Sequence, residues 1–393
     1  TYGLRERGDN LLGPIVNSSP WLQQRPLATW GDISGYSNFY NTHRDRKNLL
    51  WVGANDGMLH AFNAESGEEV FAYVPGMLAN RLAEIPLQRK IKTTLSTGDY
   101  VNGAQNMPEG SIWPYVDGSP YTADVKIESD WYTYLFGSLG RGGRGVFALD
   151  VSRVESLVEA KANQIFKWQF SAADDADLGY QIGDIKPHIS SNQANPIARL
   201  NNGKFAMIIG NGQRSVTGKA ALFVIYIDGP DATGSWSGRY RKIVVDVGKE
   251  NGLSSPRWED LDGNGTADVV YAGDLKGNVW KFDLTSSDAS KWKPAFSDEA
   301  SSSNAAVPLF TAVSNNGGQA VTQPITTAPE LVYMATGGLM VNVATGNAFA
   351  AGDFGSSTAR RSVYGVWDKG GPLANPQWMR RSYQRLSNGN VVQ

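Results

Sequence analysis

The sequence predicts an all-β protein made of repeated antiparallel modules. Three observations predict it. Apolar runs ending in glycine recur, each followed by a loop and then by a strand that alternates aromatic and polar side chains. A short proline-bearing segment stands in front of each such pair. From Pro120, the prolines Pro187, Pro256 and Pro324 follow at steps of 67, 69 and 68 residues, and a near-constant step marks a repeat architecture. Three to four antiparallel strands per module, repeated around a ring, describe a β-propeller, whose closure protects sheet edges.

Five blade-like modules are legible in order. The first, about 15–74, carries "NLLWVGANDGMLHAFNAESGEEVFAYV" from Asn48 to Val74. The second, about 115–170, carries "YTYLFGSLGRGGRGVFALDV" from Tyr132 to Val151. The third, about 184–246, carries the pair between Phe205 and Asp228, and the fourth, about 252–296, the pair between Ala267 and Leu284. The fifth, about 323–370, is weaker and splits around a glycine-rich interval. Residues 75–113 exceed the repeat by roughly half a module and read as an insertion, with helix-like stretches between Pro75 and Gly103. The tail past Gly370 is polar and shows no sixth copy.

Composition agrees with this reading and excludes several functions. A chain of 393 residues with 41% hydrophobic content can bury a large core. Forty-four glycines beside 12 tryptophans suit short strands and tight turns. The net charge is −2 and no basic stripe is visible, which argues against nucleic acid as a partner. The absence of cysteine excludes disulfides, thiolate metal sites and cysteine nucleophiles within this chain. No stretch reaches the length of a membrane-spanning helix. The chain begins at Thr1 and reads as a piece of a longer protein.

The strongest chemical signal is "DLDGNGTADVVYAGDLKGNVWKFDL", from Asp260 to Leu284. Asp260, Asp262, Asn264, Thr266 and Asp268 stand at positions 1, 3, 5, 7 and 9 of a loop. Hard Ca2+ takes six to eight oxygens, and alternate residues can turn theirs inward. Asp260, Asp262 and Asn264 offer side-chain oxygens, Thr266 its backbone carbonyl, and Asp268 a closing carboxylate. In an EF-hand the closing residue is a glutamate at position 12, but here that position is Tyr271, inside an apolar strand. The loop is therefore a turn between strands that uses an EF-hand ligand spacing without flanking helices. Three carboxylates crowded without a cation would repel, which weighs against an ion-free acidic turn.

Other motifs carry less. "GNGQRSVTGKAAL" has five residues between Gly212 and Gly218 and Ala220 after Lys219, which fails the phosphate-loop pattern. Asp174, Asp175 and Asp177 cluster, but a solvated loop explains them better than a second ion. His43, His60 and His188 lie far apart in sequence, so neither a triad nor a histidine metal site is expected. Arg7, Gly8 and Asp9 form a tripeptide that can present a guanidinium and a carboxylate to an integrin.

The stretches "WVGANDGMLHAFNAESGEEVFAYVPG", "SLGRGGRGVFALDV", "DDADLGY" and the acidic loop resemble the PilY family of type IV pilus biogenesis and tip-associated adhesins. They come in family order and span roughly Leu11 to Gly371. The resemblance implies a modified seven-bladed propeller without enzymatic activity, though the last blades are not seen at the C-terminus. It implies a bacterial cell-surface or pilus-tip location, outer membrane-associated or secreted. The implied partners are pilins and minor pilins, with host-cell receptors such as integrins. The implied roles are pilus extension and retraction, twitching motility, adhesion and virulence. The family's calcium loop maps onto Asp260, Asp262, Asn264, Thr266 and Asp268. The alternatives are a quinoprotein-like periplasmic dehydrogenase propeller, echoed once by "AFNAESGEEVF", and a generic protein-binding propeller scaffold.

If Arg7–Asp9 is a receptor ligand, Asp9→Glu should abolish integrin binding while folding and calcium affinity stay unchanged. A solid-phase integrin assay checks this, and equal binding by the variant returns the tripeptide to chance.

Overall fold

Central strands buried on both faces set the architecture. The structure is a computed structural model that describes residues 12–26, 30, 33–81, 114–183, 197–298, 304–316, 319–349, 361–369, 383–387 and 390–392. The chain divides into two compact units: Thr1–Asp175 with Tyr180–Ile182 and Ala350–Gly355, and Ala176–Gly179 with Gly183–Phe349 and Ser356–Gln393.

The first unit holds two four-stranded antiparallel sheets. One is β1 (Trp21–Gln23), β2 (Leu49–Gly53), β3 (Leu59–Asn63) and β4 (Glu69–Tyr73), paired in chain order. The other is β5 (Tyr121–Ile127), β6 (Asp130–Ser138), β7 (Gly145–Asp150) and β8 (Phe166–Ser171). β1 and β5 each open on the residue after a proline, Pro20 and Pro120. Proline lacks the N–H a ladder needs, so it fits at the entrance of a strand and not within it. Leu49, Trp51, Leu135, Phe147 and Leu149 join the two sheets in one core. Burying each such side chain contributes about 1.5–3 kcal/mol. Trp51 keeps its indole N–H satisfied by Gln23 at 2.7 Å, and Gln23 in turn donates to the Val151 carbonyl at 2.9 Å.

A helix, α1 (Tyr36–His43), lies between β1 and β2, whereas the sequence suggested helix only within Pro75–Gly103. Its apolar pair, Tyr36 and Phe39, is too short a pattern to stand out as a period. It is held by the Tyr36 hydroxyl donating to Asp124 at 2.6 Å and by the Tyr36 ring against Trp131 at 4.6 Å. Of the insertion, 76–81 form 3-10 turns and 82–113 lie outside the described residues.

His60 on β3 is buried between two carboxylates. Its Nε2 lies 3.2 Å from both oxygens of Asp56 and its Nδ1 meets Glu69. Burial opposes a charge on the ring, but the hydrogen bonds and charges of Asp56 and Glu69 outweigh it and raise the His60 pKa. Asp56 also accepts the Gly13 amide at 2.8 Å, so the same carboxylate ties down the segment before β1.

Among the described residues, the second unit holds one four-stranded sheet, two five-stranded sheets and a hairpin. β9 (Ile197–Arg199), β10 (Phe205–Gly210), β11 (Ala220–Tyr226) and β12 (Tyr240–Asp246) form the first. β10 and β11 are buried at every position, while the edge strand β12 is mostly half-buried. β9 opens directly after Pro196; Pro187, which carries the period in the sequence, lies outside the described residues. β13 (Arg257–Glu259), β14 (Val269–Gly273), β15 (Asn278–Asp283) and β16 (Lys293–Pro294) form the second, with β17 (Phe310–Thr311) also pairing β15. β18 (Val313–Asn316) and β19 (Gln319–Thr322) make the hairpin. The last sheet is β20 (Glu330–Tyr333), β21 (Leu339–Ala344), β22 (Val363–Asp368), β23 (Tyr383–Ser387) and β24 (Asn390–Val392). It runs past residue 370, where the sequence pattern fades, because β23 pairs β22 through backbone groups that any residue supplies.

A buried ion pair ties the last two of these sheets. Lys281 on β15 is 3% exposed and lies 2.6 Å from Asp368 on β22, which is 1% exposed. The Tyr271 hydroxyl donates to the same carboxylate oxygen at 2.6 Å. Burial, reinforced by the Asp368 charge, holds the Tyr271 phenol well above its ordinary pKa, so it remains a donor.

Two outcomes are expected. Asp368→Ala strands a buried ammonium and should cost about 3–5 kcal/mol in urea unfolding, whereas Tyr271→Phe should cost about 1–3 kcal/mol. Equal and small losses would show that the pair does not hold the sheets. The His60 ring should titrate above about 6.5, its unfolded value, by NMR. Because the folded value is the raised one, the clamp's stabilisation is full below the unfolded pKa and is lost as pH rises through the folded pKa. His60→Gln should remove that pH slope; a midpoint at or below the unfolded value would overturn the clamp.

Candidate metal centre

The loop 260–268 joins β13 to β14, which pair antiparallel with Glu259 opposite Val269. Asp260 follows β13 and Asp268 precedes β14, one residue beyond that last pair, so the ladder brings them close. The Asp268 amide donates to the Glu259 carbonyl at 2.9 Å, and the Leu284 amide donates to the Asp268 carbonyl at 2.8 Å. Asp268 therefore stands just before β14, fixed by backbone on both sides.

Asp260, Asp262 and Asp268 each bring one carboxylate oxygen to within 4.8 Å of the others. Two oxygens bound to one Ca2+ at about 2.3–2.6 Å lie no more than about 4.6–5.2 Å apart, so the cluster has the spacing to hold one metal ion. Asp260 and Asp268 are buried at 4% exposure, whereas Asp262 faces solvent.

Backbone amides arrange the carboxylates. Asp260 Oδ1 accepts from Gly263 N at 2.8 Å and Asn264 N at 3.2 Å, and its Oδ2 accepts from Gly265 N at 2.7 Å. Asp262 Oδ1 accepts from Asn264 N at 3.0 Å, and Asp268 Oδ2 accepts from Leu261 N at 2.8 Å. Gly263 and Gly265 adopt φ of 79° and 81°, the left-handed region that glycine enters without penalty. The space around both is open, so conformation and not crowding calls for glycine. A carboxylate has about four lone-pair sites, so each can accept amides and still face a cation.

The remaining expected ligands are engaged within the loop. Asn264 Oδ1 accepts from Thr266 N at 2.8 Å and from the Thr266 hydroxyl, while its amide nitrogen donates to Asp262 at 2.9 Å. Thr266 is buried.

Among the described residues, two side chains from other sheets, Asn201 and Tyr333, reach the loop, and neither shows in the sequence pattern. Asn201, on the β9–β10 turn, donates from Nδ2 to Asp268 Oδ1 at 3.0 Å, Ala267 O at 3.1 Å and Leu284 O at 3.1 Å. Its Oδ1 lies 2.8 Å from the Thr266 hydroxyl, which shares its single proton between Asn201 and Asn264. Tyr333, at the end of β20, donates to Glu259 Oε1 at 2.9 Å and to the Asp260 carbonyl at 3.2 Å. Burial and the Asp260 charge raise the Glu259 pKa, partly offset by the Tyr333 hydroxyl. Both contacts span more than sixty positions.

The weaker motifs resolve differently. Asp177 is an ion-pair centre: Lys242 lies 2.6 Å away and Lys219 3.3 Å, and the Thr217 hydroxyl donates to it. Burial opposes its charge, but these partners outweigh it and hold the carboxyl below the usual range. Asp174 closes its own turn by accepting from Ser171 N at 2.8 Å. The stretch Gly210–Leu222 runs from β10 to β11 without a helix, which leaves no phosphate cradle there. Arg7, Gly8 and Asp9 lie outside the described residues.

A family model described as the PilY1 β-propeller domain matches residues 12–393. The type IV pilus biogenesis factor PilY1 of Pseudomonas aeruginosa is 35% identical over 417 residues, covering 99% of this chain and 31% of that protein. A PilY1 homolog of Xylella fastidiosa is 33% identical, covering 92% of this chain and 23% of that protein. The chain thus spans a third or less of the length of these relatives. The crystal structure of the P. aeruginosa PilY1 C-terminal domain matches with a TM-score of 0.66 at 31% identity, over 90% of this chain and 65% of that one. The antiparallel sheets described above are accordingly propeller sheets, and the chain belongs to the PilY1 β-propeller domain family.

Proposed function

We propose that this chain is the calcium-responsive propeller of a bacterial cell-surface type IV pilus biogenesis factor. Ca2+ occupancy of the loop 260–268 regulates pilus extension and retraction, and through them twitching motility and adhesion to surfaces and host cells. The observation that carries the reading is the convergence of the Asp260, Asp262 and Asp268 carboxylates within 4.8 Å, in a chain of this family. The partners are pilins and minor pilins, with host-cell receptors such as integrins reached through Arg7–Asp9. The role is binding and mechanical, not enzymatic.

When bound, Ca2+ supplies two positive charges and accepts six to eight oxygens. Asp260, Asp262 and Asn264 give side-chain oxygens, Thr266 its carbonyl, and Asp268 closes the set. Asp268 precedes β14, whose partner β15 carries the buried Trp280, so orienting its carboxylate orients the start of a central strand. Loops of this donor type bind over roughly the micromolar to sub-millimolar range, which bacterial surroundings cross.

Asp268→Ala should weaken Ca2+ binding by about 100-fold or more in calorimetry while circular dichroism shows the sheets intact. Asp268→Lys should place its ammonium beside Asp260 and Asp262 and mimic the filled loop. In a piliated strain the alanine form should fail to restrain retraction and the lysine form should fail to release it, so both should reduce twitching. Undiminished Ca2+ uptake by Asp268→Ala would refute the ligand set. Lost binding with normal twitching in both would make the ion structural only.

A further inference from the structure

The closing carboxylate is not held by its own loop alone. Asp268 Oδ2 is fixed by the loop's Leu261 amide, but Oδ1 is fixed by Asn201, which belongs to a different sheet. Asn201 sits in the turn after β9, and the adjoining Leu200 forms a parallel bridge with Ala267, with the Ala267 amide donating to the Arg199 carbonyl at 2.8 Å. A primary amide nitrogen has two hydrogens, and here they serve three acceptors: a ligand carboxylate and two backbone carbonyls that flank it. The other end of the same carboxamide lies 2.8 Å from the Thr266 hydroxyl, whose single proton it shares with Asn264 Oδ1, so the three donor bonds carry most of its orientation. One side chain thus grips the loop at Thr266, Ala267 and Asp268, and at Leu284 beyond β15.

We propose that Asn201 is a positioning residue for the calcium loop, coupling ion occupancy of 260–268 to the contact between the β9–β12 sheet and the β13–β17 sheet. The inference rests on the calcium reading of the loop and assigns its regulation to a neighbouring sheet. Partners that hydrogen-bond a ligating carboxylate set its orientation, and their loss lowers metal affinity by about 10–100-fold. Asn201 touches no expected ligand oxygen except through these bonds, so its effect passes through Asp268 and Thr266. Coupling is reciprocal: if Asn201 strengthens ion binding, ion binding strengthens the hold of the loop on the β9–β10 turn. Ca2+ would then tighten two sheets against each other as well as one turn.

The test uses the full chain titrated with CaCl2. Asn201→Ala should bind Ca2+ about 10–100-fold more weakly in calorimetry. Hydrogen exchange adds a readout that loss of packing alone would not give. In the wild type, Ca2+ should slow exchange both at 260–268 and at 199–205. In Asn201→Ala at saturating Ca2+, 260–268 should still be protected and 199–205 should not. Tyr271→Phe is the control for general destabilisation: it should lower the melting temperature and leave Ca2+ affinity unchanged. Asn201→Ser, whose short hydroxyl cannot reach all three acceptors, serves if the alanine form does not fold, with the same expected pattern. If the wild type binds Ca2+ and the Asn201 variant binds within about twofold of it, or protects 199–205 equally, this inference alone is overturned. A wild type that takes up no Ca2+ overturns the calcium reading and this inference together.

Discussion

The register that sets Glu259 opposite Val269 is the constraint from which the loop follows. Asp260 and Asp268 sit one residue past that pair, and the Asp268 amide's bond to the Glu259 carbonyl keeps the two chain segments together there. Two aspartates at those places are forced into each other's field, and a third, Asp262, is folded back over them by the two left-handed glycines. Like charges at such spacing repel, so the loop needs compensation. Part of it is built in, as amides of Leu261, Gly263, Asn264 and Gly265 point at the carboxylates. These amides carry only partial charge and leave the cluster net negative, which is the condition under which a cation is welcome.

The rest of the second unit is arranged to keep that register from slipping. Val269, Val270, Tyr271, Ala272 and Gly273 are all buried, so a shift of one residue along β13 or β15 would move apolar side chains against the wrong neighbours. Gly273 lies so close to Ile325 that an added Cβ would meet it at 2.2 Å, which pins the far end of β14. Tyr271 and Lys281 join this sheet to the last one through Asp368, away from the loop.

The repeat was legible because its elements are local. A strand buried on both faces is a continuous apolar run, as in β10 and β11, and a hairpin turn shows its glycine. The acidic loop was legible for the same reason: its five expected donors lie within nine positions. What was not legible is what crosses between sheets. Asn201 looks like one more polar turn residue in "LNNGK", and Tyr333 like one more strand aromatic; nothing in either stretch shows that it ends on a loop over sixty residues away. His60 was hidden similarly, since Asp56 and Glu69 become its partners only when the β2–β3 turn and β4 fold onto β3. Helix α1 was missed because two buried aromatics in eight residues make no visible period. Asp174 closes an exposed turn, as the solvated-loop reading expects, whereas Asp177 is buried as an ion-pair centre because Lys242 and Lys219 come from far along the chain.

The buried pair between Lys281 and Asp368 bears on how the unit meets its surroundings. Mobile counterions weaken exposed pairs such as Lys204 with Asp228, over a Debye length of about 8 Å at physiological ionic strength. They cannot enter a contact whose partners are 3% and 1% exposed. Bulk salinity therefore has little purchase on the junction between these two sheets, from dilute fresh water to brine. The electrolyte can act on this part of the chain only where charge is left at the surface.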